Sequence, residues 1–336
     1  MQYSIKDIAK LSGVSIATVS RVINKKGKYS KATEQKVLEV IRQTGYEINN
    51  SAQSLRTNTT YTVGILVPDI SNYFFAKVVQ QIEEALFEKG YSTIICNTAR
   101  STQKEVAYLK ILETKSVDAI IVISGAAEHG FMFNTSKNIP YICIDREPQN
   151  FSDTIFISSN HYSGGYEATD SLIKNGSNHP VIVLHKNLST SSKARLEGFC
   201  AALKDNNIPF SKNKNILYFK SLAKLPDQLR EILNDTPEID AVFGVNDSIA
   251  IKIIEFLTSI NKHIPDEIQV IGFDNTPATT LTTPKLSSVE QNTNKIASVA
   301  VENIIECINK NGNKGSKILI PTTLVEREST NNVSKN

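Results

Sequence analysis

The sequence predicts a small all-α helix-turn-helix head followed by an α/β body of two parallel-sheet subdomains. Residues 4–45 hold three short apolar-periodic segments separated by a Gly turn and a Ser cap. From Tyr61 the pattern changes to short apolar runs alternating with longer amphipathic stretches, as parallel sheets built from α/β units require. The length of 336 residues, 40% hydrophobic and 21% charged, suits one small unit plus a large one and excludes a disordered or fibrous chain.

In the head, Ser4 can cap a first helix over residues 5–11, with Ile5, Ile8, Ala9 and Leu11 on its apolar face. Gly13 supplies the permissive backbone of a tight turn. Ser15 caps a second helix running from Ile16 to about Asn24, with Val19, Val22 and Ile23 turned to the core. A third helix, capped by Ser30 and running to Gly45, buries Val37, Leu38, Val40 and Ile41. In this arrangement the start of the second helix enters the major groove of DNA, exposing Ile16, Ala17, Thr18, Ser20 and Arg21. Arg21 can reach a guanine with two hydrogen bonds, whereas Ile16 and Ala17 offer only apolar contacts such as a thymine methyl. Charge agrees: residues 1–60 carry ten Lys and Arg against four acids, net +6, while the remainder is net −3. A plain three-helix bundle with an arginine on its wet face is the alternative.

In the body, strands are expected over residues 62–67, 92–96, 119–123, 141–144, 181–184, 241–245 and 270–273. Helices are expected near 76–89, 104–115, 164–174, 194–206, 248–260 and 296–309. Ligands of open α/β sheets bind beyond the carboxyl ends of the strands, so chemistry belongs in the polar loops 68–74, 145–148, 187–191, 245–247 and 272–275. No phosphate-binding, dinucleotide, nucleophile-elbow or zinc-protease motif is present, and His161, the histidine nearest the expected cleft, has no nucleophile motif beside it. The chain therefore reads as a non-enzyme with no cofactor and no metal. The four cysteines, Cys96, Cys143, Cys200 and Cys307, lie far apart and read as buried free thiols. The apolar runs are too short for a bilayer, and the polar start lacks a secretory signal, so the expected location is cytoplasmic, with no membrane partner.

The letters of residues 4–24, SIKDIAKLSGVSIATVSRVIN, closely resemble the DNA-binding head of the lactose-repressor (LacI/GalR) family of bacterial transcription regulators. The resemblance continues through 36–46 and into 49–56, the family's hinge helix, which orders on the operator and inserts a leucine into the minor groove. It implies a DNA-contacting set of Ser4, Ser15, Ile16, Ala17, Thr18, Ser20, Arg21, Asn24, Tyr46, Asn49, Ala52, Leu55 and Arg56. Leu55 matches the wedge, Ala52 is small enough for close approach, and Arg56 can meet a phosphate; partial unstacking costs a few kcal/mol and the bend allows more contact. The implied divisions are a head over 1–47, hinge and linker over 48–60, an effector-binding and dimerisation domain over 61–328 and a polar tail over 329–336. Within the body, one subdomain covers about 61–160 and 291–320, the other about 161–290 and 321–328.

The body resembles the family over 61–328, and the family's body is periplasmic sugar-binding-protein-like, with an effector between two subdomains joined by three crossings. By that resemblance Arg195, Asn246 and Asp274 hold the effector, Asp145 stands where sugar-responsive members have a contacting acid, and Phe219, after the strand-like 216–218, lies near an aromatic that packs on the ligand. Phe74 opens a helix facing the cleft, although core packing explains such an aromatic equally well. Forked donors, carboxylate acceptors and an aromatic face suit a polyhydroxyl ligand; structural ion pairs or turn roles for Asp145, Arg195 and Asp274 are the alternative. Purine-responsive members carry an arginine where this chain has Ser189, which speaks against a purine corepressor. No docking signature for a phosphorylated carrier protein stands out after Gln291, and no leucine heptads follow residue 329. The expectation is a homodimeric repressor of carbohydrate-utilisation genes on a palindromic operator, released by a small sugar or sugar phosphate; the alternative is the same fold under a corepressor, either a purine or a phosphorylated carrier protein.

Overall fold

The computed structural model describes residues 3–23, 27–46, 59–124 and 138–331. The chain divides into two units, Met1–Thr60 and Tyr61–Asn336. Asn24, Asn49, Ala52, Leu55 and Arg56 lie outside the described residues.

In the head, α1 (Ile5–Ser12) opens on a reciprocal cap: Asp7 N–H donates to Ser4 Oγ at 3.4 Å while Ser4 N–H donates to Asp7 Oδ2 at 2.9 Å. It ends at Gly13, whose φ of +66° is the left-handed conformation that a side chain would strain. Helix α2 (Ile16–Ile23) is capped by Ser15, whose Oγ accepts from Thr18 N–H at 3.1 Å, and α3 (Lys31–Thr44) by Ser30 in the same way from Thr33. Ile8, Ala9, Val19, Val22 and Val37 form the head's core. Two expected core residues are not in it: Leu11 is 54% and Leu38 49% exposed. The buried stripe of α1 runs through 5, 8, 9 and 12, where Ser12 hides its hydroxyl on the Ile8 carbonyl at 2.6 Å, so Leu11 falls off its edge. On α3 the stripe through Val37, Val40 and Ile41 leaves Leu38 one step round the helix.

The body alternates strand and helix: β1 (Thr62–Val67), α4 (Tyr73–Glu88), β2 (Ser92–Asn97), α5 (Thr102–Thr114), β3 (Ala119–Ile123), β4 (Tyr141–Ile144), β5 (Ile155–Ser159), α6 (His161–Lys174), β6 (Pro180–His185), α7 (Thr190–Asp205), β7 (Ile216–Phe219), α8 (Leu225–Asp235), β8 (Ala241–Gly244), α9 (Asp247–Ser259), β9 (Gln269–Asp274), β10 (Ser287–Gln291), α10 (Thr293–Ile308), β11 (Lys317–Ile320) and β12 (Thr322–Val325). Short one-turn helices fill some of the loops. One sheet has the order β11-β5-β4-β3-β1-β2 and is parallel throughout. The other, β12-β10-β9-β8-β6-β7, is parallel except for its edge, where β12 runs antiparallel to β10. The chain passes between the sheets three times, at β5 to α6, β10 to α10 and β11 to β12.

Central strands are buried on both faces, as β3 shows with five buried apolar residues in a row. Strands β5, β10, β11 and β12 and helix α8 were not among the expected elements. In β10 the reason is chemical: Ser287, Ser288 and Gln291 are buried yet polar, and Ser288 Oγ donates to Asp247 Oδ1 at 2.5 Å. The expected polar tail from 329 also starts too early. Ser329 and Thr330 are buried: Ser329 N–H donates to the Lys285 carbonyl at 3.0 Å, and the Val270 N–H donates to the Ser329 carbonyl at 2.8 Å. Cys96 and Cys143 are buried, and burial pushes their thiols up to about 11 and about 12, whereas Cys200 and Cys307, also expected to be buried, are half-buried. Among the described residues no helix is long and apolar enough to cross a membrane.

Candidate functional site

The carboxyl ends of strands from both sheets converge on one cavity of about 500 Å³, a size that suits a small organic ligand. Ser124 and Asp145 follow β3 and β4; Phe219 and Asp274 end β7 and β9; Asn246 follows β8. Phe74, Asp145, Arg195, Phe219, Asn246 and Asp274 all line it, so the structure brings together every residue that the sequence assigned to the cleft.

Three helices start at its wall. Asn72 caps α4, accepting from Phe74 N–H at 3.0 Å. Ser189 caps α7, accepting from Ser192 N–H at 3.1 Å. Asn246 caps α9 with Oδ1, which accepts from Ile249 N–H at 3.0 Å. That duty leaves the Nδ2 donors of Asn246 as what it can offer a ligand.

Arg195 is buried, and its placement comes from a close approach of two helices. A Cβ on Gly165 of α6 would sit 2.8 Å from the Arg195 Cα, and one on Gly198 of α7 would sit 2.6 Å from the Tyr166 nitrogen. Only glycine lets the backbones meet this way. The guanidinium stacks 3.6 Å from the centre of the Phe273 ring, donates to the Val245 carbonyl at 2.5 Å and pairs with Asp274 Oδ1 at 3.6 Å. Its Nε and Nη2 reach His161 Nδ1 at 3.4 and 3.3 Å, and His161 Nε2 lies 2.9 Å from Asp145 Oδ1. Asp145 Oδ1 also accepts from Ser158 Oγ at 2.8 Å and Ser159 N–H at 3.3 Å.

The electrostatics follow from this geometry. Burial alone would raise the Asp145 carboxyl, but the electrostatic attraction and hydrogen bond of His161, the Ser158 hydrogen bond and the Arg195 charge outweigh it and hold the group below its ordinary value. Burial also lowers His161, with Arg195 adding to that and Asp145 opposing it, so the imidazole is neutral at pH 7. Asp274 goes the other way: burial, with Asp247 and Asp145 nearby, pushes it up to about 7 despite Arg195 and a 2.6 Å hydrogen bond from Gln291 Nε2. Asp247 rises for the same first reason.

Sequence reasoning missed three members of this site. Gln291 lines the cavity from the second crossing, and its Oε1 is buried without a hydrogen-bond partner. Arg100 follows β2 at a φ of +57° and lies 5.9 Å from the Phe75 ring. His161 was set aside for want of a nucleophile, yet it stands between Asp145 and Arg195. The signal for each was position at or just past a strand end, without a motif to mark it.

In the head, Ile16, Ala17 and Arg21 are exposed along α2, and Thr18 and Ser20 are half-buried beside them. Ser4 and Ser15 are exposed but spend their hydroxyls on caps. Tyr46 is half-buried against the head core.

Comparison with known proteins places both units. Residues 4–49 match the family described as bacterial regulatory proteins, lacI family, and residues 60–328 match periplasmic binding proteins and sugar binding domain of LacI family. The chain is 31% identical over 327 residues to the ribose operon repressor of Halalkalibacterium halodurans, covering 97% of each. It is 32% identical over 328 residues to the HTH-type transcriptional repressor PurR of Histophilus somni, covering 97% of this chain and 98% of that protein. Among solved structures, the lac repressor dimer bound to operator and the anti-inducer ONPF shares the fold, with a TM-score of 0.84 at 20% identity over 98% of this chain and 99% of the other.

Proposed function

The chain belongs to the LacI family and is a DNA-binding transcriptional regulator rather than an enzyme, and on that premise we propose that it represses carbohydrate-utilisation genes and is released by a small sugar-like effector. The observation that carries the effector half is the convergence of Phe74, Asp145, Arg195, Phe219, Asn246 and Asp274 on one cavity. Carboxylates that accept, a guanidinium and an amide that donate, and flanking aromatic rings match the hydroxyls and C–H face of a sugar. The DNA half has the exposed row Ile16, Ala17 and Arg21 on the second helix of the head.

The mechanism needs only an effector that prefers one arrangement of the two subdomains, and a coupling of about 1 to 3 kcal/mol is typical for such a switch. The chain acts as a homodimer, so two heads related by a two-fold axis read two inverted half-sites. Selection of full-length protein on a pool of randomised duplexes tests this: enriched sequences should share one palindrome with a fixed half-site spacing. Enrichment of a single unrepeated site would overturn the dimeric reading. A second reading, corepression by a purine, is favoured by the likeness to PurR repressors; against it stands Ser189, whose hydroxyl is occupied as a helix cap.

A further inference from the structure

Asp145 and Arg195 belong to different subdomains, and the residue between them is His161, the first residue of α6 after the first crossing. We propose that His161 is the positioning residue that joins the effector-holding groups of the two subdomains. The inference rests on the reading of the cleft as the effector site.

Hydrogen-bond inventory fixes the state of the ring. Arg195 has only donors, so His161 Nδ1, which faces its Nε and Nη2, carries no proton. Asp145 Oδ1 only accepts, so the proton sits on Nε2 and is donated to it at 2.9 Å. A neutral imidazole in this one tautomer satisfies both neighbours; an imidazolium would set an N–H against the guanidinium. Phe273 fixes the pair, with its ring 3.6 Å from the Arg195 guanidinium and 5.7 Å from the His161 ring. The charged groups around the imidazole are Asp145 from the end of β4 and Arg195 from α7, with Asp274 from β9 and Asp247 from α9 behind Arg195. All of His161, Asp145 and Arg195 are buried.

The consequence is mechanical. Asp145 moves with the first sheet, and His161 and Arg195 move with the second, so the 2.9 Å bond spans the line along which the subdomains shift. An effector that engages Arg195 or Asp145 competes for atoms already on this string, and whatever it does to one end is felt at the other.

Two substitutions separate this role from packing. The His161→Gln side chain keeps an acceptor for Arg195 and a donor for Asp145, whereas His161→Leu keeps neither. Calorimetric titration of the full-length chain uses D-ribose, D-xylose, D-glucose, D-galactose, D-fructose and their phosphates as probes. For the sugar that binds the unaltered chain, the Gln variant should bind within about threefold and the Leu variant about ten- to a hundredfold more weakly, as expected for loss of hydrogen bonds to charged groups. Side-chain ¹⁵N resonances of His161 in the unaltered chain should report a neutral ring protonated on Nε2 at pH 7. Equal sugar binding by the Leu variant overturns the proposal, as does a Gln variant as weak as Leu, or an imidazolium or Nδ1-protonated ring should the Leu variant not fold. If no probe binds the unaltered chain, the effector reading itself fails and the proposal falls with it, a result distinct from binding that ignores His161.

Discussion

Arg195 is a buried cation held by Val245, His161, Asp274 and the Phe273 ring, and most of its five N–H groups are committed before any ligand arrives. What it offers an effector is the remainder of a fork aimed into the cavity. Arg195→Ala should therefore abolish the effector response while leaving operator affinity intact, checked by duplex binding with and without sugar; an unchanged response refutes the assignment. Asp274 gives a second test through its elevated carboxyl. The native chain then holds more protons than the unfolded chain between the ordinary carboxyl range and about 7, so stability of the effector-free protein should fall as pH rises through that window. His161, held low, acts in the opposite sense below its ordinary value of about 6.5. Urea midpoints across that window should lose most of this slope in Asp274→Asn, and a slope retained in full would assign it to Asp247, which burial raises to about 6. At this scale the sequence was legible where a residue sits in a distinctive motif, as Arg195, Asn246 and Asp274 do. It was opaque for Gln291 and His161, whose roles come from contacts made across the fold.

The element that places the site is the α6–α7 pair, whose backbones meet at Gly165 and Gly198. Gly198→Ala forces these helices apart, since its Cβ would lie 2.6 Å from the Tyr166 nitrogen. A loss of about 1 to 3 kcal/mol or more is expected from overpacking, with sugar affinity falling alongside because Arg195 and His161 ride on the two helices. A variant as stable as the unaltered chain contradicts the close approach. Elements with plain hydrophobic periods were readable in advance: β1, β3 and β4 have the expected bounds, and Ser4, Ser15 and Ser30 cap their helices as expected. The strands that escaped notice are those at the crossings. Ser158 and Ser159 in β5 and Ser287, Ser288 and Gln291 in β10 are buried through hydrogen bonds rather than apolar area, so hydropathy patterning does not see them. Leu11 and Leu38 err in the other direction, apolar letters one helical step off the buried stripe.

The molecule as a whole joins a basic head to an acidic body, residues 1–60 at net +6 and the rest at −3, which suits a polyanion for the first. Fold class and family were legible because the head motif is dense in specific letters, whereas the effector was not, because cavity shape depends on loops from both sheets. The most direct test of the account is release. Full-length protein bound to its selected duplex is followed by fluorescence anisotropy during titration with neutral sugars, sugar phosphates and purines at millimolar concentration. The account predicts that one carbohydrate class releases the DNA and raises the thermal midpoint of the protein, since a ligand at 100 times its dissociation constant stabilises by about 2.7 kcal/mol. Tighter DNA binding with a purine, and no response to any sugar, would contradict it.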